Sequence, residues 1–188
     1  MDSSDKVFID PTKFEIKDLP VGMQCNDMQG MLGWLIKWIT RDNNCHSCGM
    51  IKPQIVSTQN LVYKEEPISA YMKSDEMLKF WKIKDITDLE KSLIYSAVTK
   101  RLKLPWWKRF YDFPNLLGQA IGVHWLEMPY LCICSQEVAD DYIRSVPRVW
   151  NSLSDVDKRT LQNPSPADLD KIIDSRADLF VVIGYWWQ

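Results

Sequence analysis

Leu179-Phe180-Val181-Val182-Ile183-Gly184-Tyr185-Trp186-Trp187-Gln188 closes the chain, directly after the charged Asp178. A run that is apolar at consecutive positions and rich in β-branched residues fits a strand covered on both faces, because a half-solvated strand alternates instead. Such a strand left as a bare edge would invite association. It is therefore expected either at the centre of a sheet or completed by a partner.

Upstream of that strand the chain reads mostly as helix. Asn163-Pro164-Ser165-Pro166 ends in a helix start, with serine as the cap, proline at the first helical position and Asp168 two residues on. Leu169, Ile172 and Ile173 fall on its inner face. Ser154, followed by Asp155 and Asp157, reads as another cap. Ser135 is expected to cap a helix whose Val138, Ala139, Tyr142, Ile143 and Val146 face inward, and which Pro147 interrupts. Asp140 and Asp141 beside that stripe read as a solvated face. Tyr130 to Cys134 is a short β-type run. Before it, Leu117, Ala120, Ile121, His124 and Trp125 share one face of a helix, with His124 as a core histidine and a metal ligand or general base as the alternatives.

The first half of the chain is mixed. Val7 to Ile9 and Phe14 to Ile16 read as short strands around the turn Asp10-Pro11-Thr12. Asn26 or Asp27 can cap a helix in which Met28, Met31, Leu32, Leu35, Ile36 and Ile39 repeat at helical spacing, widened by Trp34 and Trp38. Ile51 to Val56 and Leu61 to Lys64 form an expected hairpin, and Ser74 caps a short helix with Met77, Leu78 and Trp81 inward. The elements do not alternate regularly and no repeat is present, so the expected fold is α+β. Several amphipathic helices would pack on a small sheet that includes the C-terminal strand. At 188 residues this is expected to be a single globular domain, residues 1–188, with 1–5 as a flexible tail.

Chemistry is suggested mainly by Lys100-Arg101-Leu102-Lys103-Leu104-Pro105-Trp106-Trp107-Lys108-Arg109-Phe110-Tyr111-Asp112-Phe113. Thr87-Asp88-Leu89-Glu90 is a capping box that starts a helix. Ile86, Leu89, Leu93, Ala97, Val98 and Leu102 give that helix an apolar stripe, and Pro105 ends it. The cations Lys100, Arg101, Lys103, Lys108 and Arg109 then fall at the helix C-terminus and just past it, where the helix dipole favours positive charge. The dipole does not account for Trp106, Trp107, Phe110 and Tyr111. Either these rings anchor the turn in the core, or they stand outward among charges as a platform for single-stranded nucleic acid, an anionic membrane surface or a protein. The net charge of -2 means that any polyanion binding must rest on this local patch.

Cys45-His46-Ser47-Cys48-Gly49 has the spacing of half a tetrahedral zinc site, read as a turn, with Cys25 and His46 as further candidate ligands beside Cys45 and Cys48. The alternative is a pair of reduced thiols. The odd cysteine count and a polar start without a leader point to an intracellular protein, cytoplasmic or nuclear and not secreted, and no apolar run is long enough to span a membrane.

No phosphate loop, nucleophile elbow or metal-helix motif is present. The expectation is a non-enzymatic interaction protein, such as a regulator, adaptor or assembly component, with a protein partner or self-association through residues 100–111. RNA or single-stranded DNA binding, peripheral membrane association and a Cys/His- or zinc-dependent enzyme are the alternatives.

Overall fold

The computed structural model describes residues 6–26, 34, 38, 44–59, 61–72, 77–110, 112, 114 and 133–187, with Asn44 and Cys45 as backbone alone. Six strands form one antiparallel sheet: β1 (Val21–Asn26), β2 (Asn44–Lys52), β3 (Ile55–Gln59), β4 (Tyr63–Pro67), β5 (Met77–Ile83) and β6 (Phe180–Trp186), in the order β4-β3-β2-β1-β5-β6. Helices gather on one face: α1 (Asp88–Leu102), α2 (Cys134–Val138), which runs on as a π-helix (Ala139–Arg144), α3 (Pro147–Ser152), α4 (Asp155–Thr160) and α5 (Pro166–Ser175). Trp81, Ile83, Tyr142, Ile143, Leu169 and Phe180 belong to the core between the layers. On the opposite face, Val21, Met23, Met50, Leu78 and Phe80 lie under Leu19, Ile68 and Tyr71, with Ile9 and Phe14 packed against them. The fold is α+β, and the C-terminal strand is part of the sheet.

Two glycines set how closely the layers approach. Gly22 and Gly49 are register partners on β1 and β2. A methyl group on Gly22 would collide with the Trp81 indole, and one on Gly49 with the Tyr142 ring. Removing two neighbouring side chains from the helix-facing surface thus makes a notch for one ring from β5 and one from the π-helix. Trp81 meets Tyr142 and Phe180 edge to face, with centroids 6.4 and 5.5 Å apart, an arrangement favoured by the aromatic quadrupoles.

Each border of the sheet is met at one end by a remote segment. β6 is the last strand rather than a central one, and its outer side is met by residues 7–9: Ile9 N–H donates to Tyr185 O at 2.8 Å, and Tyr185 N–H to Val7 O at 2.8 Å. Gly184 permits this approach, since a side chain there would press on Ile9 and the Val7 carbonyl. At the far border, Tyr63 N–H donates to Arg109 O at 2.7 Å and Val62 bridges Phe110.

Local capping signals are reproduced. Glu90 N–H donates to Thr87 Oγ1 at 3.2 Å and Thr87 N–H to Glu90 Oε2 at 2.9 Å, and Ser154 and Ser165 form the same reciprocal box. Elsewhere tertiary packing overrides the pattern. The expected helix after Ser74 is instead β5, whose Leu78 and Phe80 face one core and Trp81 and Ile83 the other. A strand covered on both faces carries apolar residues whose spacing imitates a helix. The run 51–56 is split by a turn at Pro53-Gln54, with Gln54 at φ 60°. The turn expected at Asp10-Pro11-Thr12 is a 3₁₀ turn over Pro11–Lys13 capped by Asp10, whereas the strand expected at Phe14 to Ile16 gives way to a second 3₁₀ turn, Ile16–Asp18. Cys134 opens α2 behind an extended Ile133, and the Ser135 hydroxyl donates to Pro164 O at 2.5 Å instead of capping. The buried stripe of α1 is rotated to Glu90, Ile94 and Val98, leaving Leu89 72% exposed. Arg148 draws Glu90 inward through a bond of 2.8 Å, an effect that apolar spacing alone does not reveal. The helix expected around His124, residues 1–5 and most of 28–39 lie outside the described residues; Trp34 and Trp38 are helical and exposed, with nearly parallel rings 6.5 Å apart.

Gly49→Ala should lower stability by about 1–3 kcal/mol, the cost of overpacking a filled core. Chemical denaturation reads the loss, and Tyr142→Leu in the same chain should recover part of it.

Candidate functional site

The end of α1 turns outward as the proline requires. Lys103 closes the helix by donating its N–H to Thr99 O at 3.2 Å, and Trp106–Lys108 form one 3₁₀ turn after Pro105. Trp106 and Trp107 are 58% and 57% exposed, and Phe110 beside them is also exposed. Their rings make an edge-to-face cluster, with Trp106 5.9 Å from Trp107 and 5.3 Å from Phe110 at interplanar angles of 82° and 74°. Lys100 and Lys103 are exposed and Lys108 is half-buried.

The two arginines point the other way. Arg109 Nη1 donates to Tyr63 O at 3.1 Å, and its carbonyl accepts from Tyr63 N–H and from Gln59 Nε2 at 2.9 Å. Arg101 grips Asp141 with two bonds, Nε to Oδ2 at 2.9 Å and Nη2 to Oδ1 at 3.0 Å, and lies 5.8 Å from the Tyr63 ring centroid. The expected eight-residue site thus divides into an exposed group of Lys100, Lys103, Trp106 and Trp107, a half-buried Lys108, and a structural pair, Arg101 and Arg109. Tyr111 lies outside the described residues. Between the last turns of α1 and the π-helix is a cleft of about 330 Å³, lined by Ala97, Lys100, Arg101, Leu104 and Asp141.

Beneath the helices the sheet carries a polar row that the sequence pattern conceals. Lys79, Gln24 and Ser47 are register partners on β5, β1 and β2, as are Gln59 and Tyr63 on β3 and β4, and all five are buried. Ser47 Oγ donates to Gln24 Oε1 at 2.6 Å. Lys79 Nζ donates to Asp170 at 2.7 Å and Asp174 at 2.6 Å; burial alone would lower its pKa, but these carboxylates raise it above the ordinary value.

Glu137 of α2 is fully buried, and neither of its oxygens has a hydrogen-bond partner among the described residues; the same holds for the Tyr63 and Tyr142 hydroxyls and Ser57 Oγ. Burial first, and the Asp141 carboxyl second, push the Glu137 pKa well above the usual range, against the pull of Arg101. Burial also raises Asp141, but the Arg101 fork favours its charged form. Of these two neighbouring carboxyls Asp141 has the Arg101 fork and Glu137 has no ion pair among the described residues, so burial weighs more heavily on the charged form of Glu137. Asp141 is therefore part of the interior, where a solvated face was expected. Acids at positions 137 and 141 were legible on the helix, but their enclosure depends on the opposing sheet.

The zinc expectation meets different geometry. Cys45 to Gly49 lie in β2 rather than a turn, and a strand sets residues three apart about 10 Å from one another, where a knuckle would gather them. Cys25 and Cys48 are buried, outside any disulfide, in the core opposite the helices, and burial raises the Cys48 pKa well above its ordinary value. His46 Nε2 lies 2.7 Å from Thr58 Oγ1, its ring stacks on Tyr71 at 5.7 Å, and burial lowers its pKa to about 4. Among the described residues no group of three His, Cys, Asp or Glu is placed to hold a metal ion, and no helix is long and apolar enough to cross a membrane. No model of a protein family and no curated protein matches this chain.

Because the folded state holds the Glu137 proton more tightly than the unfolded chain, the stability it contributes is full below the ordinary glutamate range. That contribution falls as pH rises above the range. Unfolding free energies measured from pH 4.5 to 8.5 should decline more steeply in the native protein than in Glu137→Gln. Parallel profiles would show that Glu137 is charged in the fold.

Proposed function

We propose that this chain is a non-enzymatic interaction protein that docks a protein partner through Trp106, Trp107 and Phe110. The observation that supports this reading is the exposure of three rings, with Trp106 packed against both Trp107 and Phe110, near two lysines, Lys100 and Lys103, that make no ion pair among the described residues. Large rings are costly to leave in water, and aromatic anchors supply much of the affinity where proteins meet.

The edge-to-face packing favours a protein over nucleic acid. Single-stranded nucleic acid is bound by stacking bases on open ring faces, whereas Trp106 is flanked at steep angles by both neighbours. Such a cluster forms a knob suited to an apolar socket. The turn itself is held rigidly: Arg109 is bonded to the edge of β4 through its main chain and side chain. A preformed knob avoids part of the entropy lost when a flexible anchor is immobilised.

The test is a photo-reactive residue at position 107, with one at exposed Val156 as the control. A discrete protein adduct, from a second copy or another chain, is expected at 107 alone. Trp106→Ala with Trp107→Ala should weaken the complex by about 2 kcal/mol or more, roughly thirtyfold, while changing stability little. No adduct at 107, or equal adducts at both positions, would overturn the reading.

A further inference from the structure

The rings are bordered by charge of one sign. No acidic residue occurs between Glu90 and Asp112, whereas Lys91, Lys100, Arg101, Lys103, Lys108 and Arg109 all fall there. Several lysines elsewhere sit against carboxylates, including Lys52 on Glu65, Lys64 on Glu66 and Lys79 on Asp170. Lys100 and Lys103 have no such partner among the described residues. In a chain of net charge -2, two unpaired lysines near three exposed rings form a local field whose complement is an acidic partner.

The cleft beside the rings narrows that chemistry. Its lining includes the apolar side chains of Ala97 and Leu104, the Lys100 ammonium and the Arg101–Asp141 fork. Asp141 is buried and its charge is balanced by Arg101, so Lys100 supplies the positive charge at the opening. A glutamate or aspartate side chain matches these features: methylenes meet Ala97 and Leu104 while the carboxylate meets Lys100. A phosphodiester has no such stem to bury against those walls.

Resting on the docking reading above, we infer that the partner presents an acidic segment with an apolar anchor. A carboxylate seats in the cleft between α1 and the π-helix, and a neighbouring leucine or aromatic side chain packs on Trp106 and Trp107. The contact surface therefore includes Ala97 and Leu104, and it runs from the helix end onto the turn.

The probes are a blocked synthetic hexapeptide, Glu-Glu-Leu-Phe-Glu-Glu, its counterpart with glutamine in place of every glutamate, and hexameric oligoadenylate RNA, titrated calorimetrically into the full chain. The acidic peptide should bind at least tenfold more tightly than the other two, and its affinity should fall as salt is raised. Lys100→Glu with Lys103→Glu should weaken it at least tenfold, and Lys100→Arg with Lys103→Arg should preserve it. Ala97→Phe, which fills the cleft, should weaken the acidic peptide at unchanged circular dichroism; if that variant misfolds, the two lysine variants decide.

Equal binding of the glutamate and glutamine peptides would overturn the acidic specificity and leave the ring-mediated docking in place. Tighter binding of the RNA, or no binding of the acidic peptide at millimolar concentration, would also overturn it. The docking reading falls separately, through the adduct experiment at position 107.

Discussion

The close seating of the helix layer depends on the absence of two side chains. Gly22 and Gly49 stand side by side on the inner strands, and Trp81 and Tyr142 occupy the space their missing methyl groups leave. The π-helix is brought down onto β2 by this contact, and with it Glu137 and Asp141. Burying a large ring contributes up to about 4–6 kcal/mol by area, whereas a buried polar group without a partner costs about 1–3 kcal/mol. The rings therefore outweigh the acid. The wide turns of the π-helix extend the buried face, so that Ala139, Asp141, Tyr142 and Ile143 are all enclosed.

The interior and the exposed turn meet at Tyr63. Its hydroxyl lies in the enclosed polar region with Glu137, its ring lies below the Arg101 guanidinium, and its main chain is strapped to Arg109 from both the N–H and the carbonyl. Arg101 in turn joins the last turn of α1 to Asp141. The aromatic cluster is consequently a fixed projection from the sheet border and helix end. The hydrogen bonds that hold the turn are part-buried, and Lys100 and Lys103 nearby in the chain are exposed.

Most signals that act within four residues are legible in the sequence, with Ser135 as an exception. Thr87, Ser154 and Ser165 cap the helices they announce, Pro105 ends one helix and Pro166 starts another. Signals that depend on the opposite layer are not. β1, Val-Gly-Met-Gln-Cys-Asn, has little β-branched character and was passed over, although its place between β2 and β5 puts it at the middle of the sheet. Met77 to Ile83 imitated a helix because both of its faces are covered. At the site, residues 100–109 could be named in advance, but not the division between outward lysines and inward arginines. That division is decided by Asp141 and by the edge of β4, which are remote in the chain. The row of Lys79, Gln24, Ser47, Gln59 and Tyr63 is scattered over four stretches and emerges only when the strands are aligned.

The borders of the sheet bear on the order of assembly. One border waits for Arg109 to reach Tyr63, and the other for Tyr185 to receive residues 7–9, which leave the ribosome long before it. Contacts so distant along the chain slow folding, because a long loop must close before they form. During synthesis the strands β1 to β5 accumulate with one flank still open, so the nascent chain passes through an interval in which a neighbouring polypeptide could pair where β6 belongs.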